Sequence, residues 1–438
     1  MTHLHVATAV STVAALLAVS GVMGAQRPTT LAGRSMVYAP KGMVATSQPL
    51  ASAAGLEVLR TGGNAIDAAV AAAAVLSVAE PHMTGIGGDM FAIVWLTREG
   101  KRVAINAGGR AGSLMTRDAL VARGFRAGSQ QGVMSVTVPG ALAGWDMLAR
   151  AHGKRTLAQS LQPAIAYARD GFPVSPIIAS QWANETEFLM RDSAAAATFL
   201  PGGRAPRAGE WFQNRDYART LQTIADSGIG TFYGGAIGKR IVARIAALKG
   251  FVTLDDMKKK KPNWVTPISV PFRGYRVWEL PPSNQGIAAL EMLRILEPYD
   301  LKAMGHNSPA YLHHLIEAKK LAYADLDQFV GDADHLAMPA EEMLTDAFIT
   351  ERRSHMNPSR AQERVDPGPL RTKSETVYLA VADADGNMVS FINSNYDYFG
   401  SGIVCRAPVS RCIIAARASR SRRVCRTPSR RASARSTR

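Results

Sequence analysis

From residue 65 to residue 79 the chain reads Ala-Ile-Asp-Ala-Ala-Val-Ala-Ala-Ala-Ala-Val-Leu-Ser-Val-Ala, with Asp67 as its one charge. A helix apolar on nearly every face has no side to offer water, so it must lie between layers of a core. Asp67 falls near its N-terminus, where the helix dipole favours a carboxylate. The preceding residues 50–60 place Leu50, Ala54, Leu56 and Leu59 at helical spacing. Thr61-Gly62-Gly63-Asn64 then ends that first helix as a glycine C-cap does. With 438 residues, 47% apolar and 20% charged, the chain has the composition of a soluble globular protein with a sizeable core. That composition excludes a disordered chain, a collagen-like fibre and a polytopic membrane protein. The length allows one large domain or two to three ordinary ones.

Charge has to be read by position. Residues 405–438 hold 11 Arg and no Lys, Asp or Glu, and also all three cysteines, Cys405, Cys412 and Cys425. The 51 basic residues less these 11 leave 40 against 35 acidic ones, so the body carries only +5 of the total +16. The body therefore offers no electrostatic case for nucleic acid, and its lack of cysteine suits an oxidising compartment. The first 26 residues have no charged side chain, and residues 6–25 are small and apolar. They read as a signal peptide over 1–25, which implies export to a periplasm or the exterior and no stable membrane association beyond that segment; the alternative is an uncleaved N-terminal anchor, since about 20 apolar residues can just span a bilayer.

Gly85, Gly87 and Gly88 lie between a helix and a strand at 90–96, the reverse of a phosphate-binding order. A tight turn feeding a buried strand is the reading, with a hairpin into 102–106. Residues 135–360 read as mostly helical, with a strand at 275–280, a helix to Leu296 and another over 308–326. His313 and His314 on that last helix read as surface or capping residues. No spacing supports a metal site, and no cofactor is implied. The four lysines 258–261 read as a solvated loop.

Residues 376–394 form a hairpin pattern around Asp385-Gly386. If Ala382 faces Met388, Thr376 faces Ser394; a two-residue loop would instead bring up Asn395. A register slip of one also flips every face. An internal threonine has no built-in base. Cutting the chain before it frees an α-amino group, with an unperturbed pKa of about 7.7–8.0, that can take the hydroxyl proton.

In order along residues 40–404, the chain resembles the γ-glutamyltransferase family of N-terminal-nucleophile hydrolases. The resemblance rests on Thr61-Gly-Gly-Asn-Ala-Ile-Asp-Ala-Ala-Val70, Glu80-Pro-His-Met-Thr-Gly-Ile-Gly-Gly-Asp89, Ser135-Val-Thr-Val-Pro-Gly140, Leu161-Gln-Pro-Ala-Ile165, Pro281-Pro-Ser-Asn-Gln-Gly286, Ala322-Tyr-Ala-Asp325 and residues 376–402. It implies an α+β fold, an αββα four-layer sandwich that is incomplete at the C-terminus here. It also implies a precursor that cuts itself between Glu375 and Thr376 into a large part (26–375) and a small part beginning at 376, which stay together. Thr376 is then the nucleophile. It takes a γ-glutamyl group from glutathione or a related amide as a threonine ester and passes it to water, an amino acid or a peptide. Ser394 matches a hydroxyl residue bonded to the nucleophile, and Arg110, Asn395 and Tyr396 are the substrate-binding candidates.

The chain departs from the family pattern in four places. Val377 replaces a threonine, Arg110 lies two residues beyond the expected arginine position at Gly108, and Tyr396 replaces an asparagine. These three point toward relatives that cleave glutaryl or other acyl amides. After Val404 the glycine-rich continuation and its oxyanion-binding amides are replaced by the Arg-rich stretch 405–438, which has no Gly, Leu or aromatic residue. The expectation is an out-of-frame tail that forms no β layer and a chain of low activity. A non-catalytic relic and a basic-tail nucleic-acid binder are the other readings.

Overall fold

The computed structural model describes residues 37–123, 131–331, 336, 339–363, 376–405 and 413–414. From Lys41 onward the chain forms one compact unit that runs across the 375/376 boundary. The elements that position the site are strand β1 (Gly42–Ala45), helices α1 (Pro49–Arg60) and α2 (Ala65–Ala79), and strands β2 (Asp89–Leu96) and β3 (Lys101–Ala107). After them come α3 (Ala141–His152), α4 (Leu157–Asp170), α5 (Arg215–Ser227), β4 (Asn263–Val265), β5 (Ile268–Phe272) and β6 (Tyr275–Glu279). Helices α6 (Gly286–Leu296), α7 (Pro309–Phe329) and α8 (Asp346–Ser354) precede strands β7 (Val377–Asp383), β8 (Met388–Ser394), β9 (Ile403–Val404) and β10 (Ile413–Ile414).

Six strands make one sheet in the order β1-β7-β8-β2-β3-β4, antiparallel throughout. Helix α2 lies against β7 and β8 and is flanked by α1 and α4. All of its residues are buried, as an almost uncharged helix requires. Asp67 is satisfied at its start: it accepts from the backbone N–H groups of Asn64, Lys154 and Arg155 at 2.9–3.0 Å. Asn64 completes a reciprocal capping box with it. Burying this carboxylate is tolerable because several backbone donors replace its water.

The sheet has two unlike faces. Val377, Leu379, Val381, Val389, Phe391, Met90, Ala92 and Val94 are buried on the helix side. The other face carries Met43, Tyr378 and Met388, exposed at 42%, 53% and 56%, with half-buried Phe91, Ile93, Trp95 and Ile392 between them. Among the described residues, three two-stranded sheets accompany this six-stranded one, β5 with β6 and β9 with β10 among them.

Several sequence expectations are corrected. The middle region is mostly helical and its expected strand is β6, but β4 and β5 before it were not anticipated. Helix α7 extends to Phe329, with Ser308 as its N-cap. His314 is a buried residue: its Nδ1 meets the Ala310 carbonyl at 2.8 Å and its ring packs edge-on to Tyr299. The lysine run is not wholly solvated, because Lys260 Nζ donates to the Gly108 carbonyl at 2.5 Å. Within the Arg-rich stretch Ile413–Ile414 pairs with Ile403–Val404, and Cys405 is buried, its thiol pushed up to about 12 by burial. The signal-peptide assignment, Glu375 and residues 415–438 lie outside the described residues.

Candidate active site

The β7–β8 hairpin adopts the first of the two registers, with Met388 facing Ala382 and Asn393 facing Val377. Its turn is fastened by Asp383, whose Oδ1 accepts from Asp385 and Asn387 N–H at 3.0 and 2.9 Å. The other carboxylate oxygen accepts from Ala65 N–H, the first residue of α2, at 2.9 Å. Hairpin and buried helix are thereby locked together, and the register carries through to the hairpin's open end. There Thr376 Oγ1 and Ser394 Oγ lie 3.0 Å apart.

Ser394 Oγ also accepts the Tyr396 N–H at 2.9 Å. Tyr396 reaches it with φ +76°, a left-handed conformation uncommon for a non-glycine residue. On the other side of β8, Ser394 faces Asp89 at the start of β2. Asp89 Oδ1 accepts the Gly109 N–H at 2.6 Å. The turn after β3 is held at each residue: Gly108 N–H to Asn106, Gly108 carbonyl to Lys260, Gly109 N–H to Asp89, and Arg110 carbonyl to Val138 N–H. Thr376, Ser394, Asp89 and this turn thus form a row across one end of the non-helix face.

Glycine is required where the loop before β2 meets β8. A Cβ at Gly88 would run into the Ser394 carbonyl oxygen, and the Gly88 carbonyl accepts from Gly140 and Ala141 N–H at the start of α3. Asn393, on the opposite face, accepts from Trp145 Nε1 at 3.0 Å and donates to Thr84 Oγ1 and the Gly85 carbonyl. Phe399 is buried against Trp182, Phe199 and His82, which anchors the segment beyond the row. Burial lowers the His82 imidazole to about 4, against the opposing effect of its 2.9 Å hydrogen bond to Gln181, so the ring is neutral at pH 7.

The structure brings Thr376, Ser394 and Tyr396 together. Arg110 is exposed on the turn beside Asp89. Asn395 does not face outward: it is fully buried, its N–H donating to the Met83 carbonyl at 2.9 Å and its Nδ2 to the Pro81 carbonyl at 3.3 Å. Its side chain reaches the 81–88 loop, since an odd-numbered position beside Ser394 points to the helix side. Sequence reasoning did not find Asp89, Lys260 or Trp145. Asp89 follows directly on the glycine turn, where a charge entering a buried strand was the available signal. Among the described residues no group of three or more His, Cys, Asp or Glu side chains is arranged to hold a metal.

Residues 51–407 match the family model described as gamma-glutamyltranspeptidase. The chain belongs to the γ-glutamyltranspeptidase family. It is 39% identical over 371 residues to the glutathione hydrolase-like YwrD proenzyme of Bacillus subtilis, covering 84% of this chain and 69% of that one. It is 36% identical over 372 residues to the acylase ACY 1 proenzyme of Pseudomonas sp. strain V22, covering 82% and 66%. A crystal structure of cephalosporin acylase from Bacillus halodurans superposes with a TM-score of 0.78 at 41% identity, covering 90% of this chain and 72% of that one. The chain thus spans about two thirds of the length of the proenzymes it matches. The hairpin, the glycine turn, the buried alanine-rich helix, Thr376 and Ser394 all lie inside the span matched to the γ-glutamyltranspeptidase family.

Proposed function

We propose that the chain is a γ-glutamyltransferase-type precursor that cuts itself between Glu375 and Thr376 and then acts as an amide hydrolase and acyltransferase. The observation that carries this reading is the 3.0 Å pairing of Thr376 Oγ1 with Ser394 Oγ at the open end of the hairpin. A hydroxyl held against a second hydroxyl, itself fixed by the Tyr396 N–H, is oriented in the way a nucleophile needs. Once the peptide bond before Thr376 is broken, the α-amino group stands on the same residue as the hydroxyl. It accepts the Oγ1 proton as Oγ1 attacks the substrate carbonyl carbon. The amide C–N bond breaks, the leaving amine takes that proton, and a threonine ester remains. Water or an amino-acid or peptide acceptor then attacks the ester and restores the hydroxyl. Glutathione is the proposed donor, and Arg110, whose guanidinium can bind a carboxylate bidentately, is the proposed grip on the acyl group.

Intact-mass spectrometry tests the cut. The 46.9 kDa chain is expected to yield one fragment ending at Glu375 and one beginning at Thr376, and T376A is expected to remain whole. A T376A protein that still splits at this bond overturns the reading.

A second reading is an acylase of the same fold. The half-buried aromatic Tyr396 beside Ser394 favours it, as does the 41% identity to a cephalosporin acylase. Rates on glutathione against glutaryl amides separate the two. We also propose that residues 1–25 direct export and that the composition change at Cys405 marks a shifted reading frame, which leaves turnover low for want of oxyanion-binding amides. Donors of that kind are worth about 2.7–4 kcal/mol of barrier. The nucleotide sequence through codons 400–410 tests the frame.

A further inference from the structure

The self-cutting step poses a problem that later turnover does not. Before the cut, the nitrogen of residue 376 is an amide and cannot serve as a base, so the proton on Thr376 Oγ1 needs another destination. The row across the sheet supplies one. Thr376 Oγ1 meets Ser394 Oγ at 3.0 Å, and Ser394 faces Asp89 on the neighbouring strand. Directly opposed residues of antiparallel strands place their Cβ atoms about 4.5–5.5 Å apart on one face, within reach of a hydroxyl-to-carboxylate contact.

We propose that Asp89 is a positioning residue for maturation, acting through Ser394 as the terminal proton acceptor that lets Thr376 attack its own peptide bond. The inference rests on the proposed cut before Thr376. In the step, Oγ1 bonds to the carbonyl carbon of residue 375 while its proton passes to Ser394 and the Ser394 proton passes to the Asp89 carboxylate. The C–N bond then breaks, and the proton returns through the same hydroxyl to the departing nitrogen, which becomes the α-amino group. Water hydrolyses the ester that joins the two parts. No oxidant or cofactor enters the balance.

Asp89 is only 8% exposed, and its Oδ1 is pinned by the Gly109 N–H on the β3 side of its strand, so its carboxylate is fixed in place beside the residue it opposes on β8, Ser394. The charged groups around it are Arg110 on the turn it fastens and Lys260, whose ammonium group sits on the Gly108 carbonyl. Glu80 and His82, on the preceding loop, are engaged elsewhere, with Ser47 and Gln181.

The test compares the parent protein with D89N and D89E, following fragment formation by intact mass across a pH series. Hydrogen exchange of residues 105–112 is measured in parallel. Asn keeps an oxygen for the Gly109 N–H but cannot take a proton. D89N is therefore expected to mature more slowly, on the order of 10²-fold, to lose the acid limb of the pH profile, and to leave exchange in 105–112 unchanged. D89E is expected to recover part of the rate. A D89N protein that matures with the parent's rate and pH profile overturns the proposal while leaving the cut at Thr376 standing. Slow maturation with faster exchange in 105–112 also overturns it, because Asp89 then acts only through the turn. A parent protein that never splits overturns both this proposal and the reading it rests on.

Discussion

At the scale of single residues, the chemistry around His82 makes a prediction about acid. Its imidazole is buried and titrates at about 4, whereas an exposed histidine titrates near 6.5. Between those values the unfolded chain binds a proton that the folded one refuses. Stability is therefore fully present above about pH 6.5 and is lost as pH falls toward 4, by on the order of 3 kcal/mol at most. Glu80 acts in the opposite sense, since burial raises its carboxyl against the hydrogen bond from Ser47. The His82 contribution is accordingly read as a difference: urea midpoints of the parent and of H82Q should converge as pH is lowered from neutrality to about 4. At this scale the sequence was informative where chemistry follows chain-local rules. Asp67 as a helix-start carboxylate and Thr376 beside Ser394 followed from helix polarity and from counting along a hairpin. The burial of His314 has no such local signal, because the side of an element that meets the core depends on partners far away in the chain.

At the scale of elements, the loop before β2 acts as a spacer between β8 and α3. Gly88 lies against the Ser394 carbonyl and bonds to the first turn of α3. G88A is expected to push the end of β8 outward, costing about 1–3 kcal/mol as other overpacked sites do and separating Ser394 from Thr376. Thermal melting reads the first effect and the rate of fragment formation the second; a G88A protein that matches the parent in both would show that β8 has slack. The hairpin itself was legible because Asp385-Gly386 and the alternating residues around it constrain register locally. The pairing of β8 with β2 joins positions about three hundred residues apart in numbering and has no local signature, which is why Asp89 stayed hidden. The satellite helices show the same limit. Glu291 is fully buried on α6 near Asp325 on α7, and Asp325 is held by Arg352 on α8 at 2.6 Å. Burial, with the Asp325 carboxyl beside it, raises Glu291 well above the usual carboxylate range.

At the scale of the whole molecule, the sheet is covered on one face by α2 and its neighbours while the other presents Met43, Tyr378 and Met388 to solvent. Contiguous apolar surface of this kind is uncommon on a monomer. The native chain is expected to bind the dye ANS without denaturant, and a Y378S/M388K double variant should bind less while melting at a similar temperature. Equal dye binding by the two proteins would place the apolar surface elsewhere.

The hairpin that begins at Thr376 occupies the middle of the sheet, with β1 along one side and β2 along the other. Severing the chain before it would leave a short piece gripped on both flanks by backbone hydrogen bonds to the long one. Dilution alone could not part them. Release would demand that the whole sheet come undone, so the lifetime of the two-piece assembly would be set by the unfolding rate and not by a binding constant.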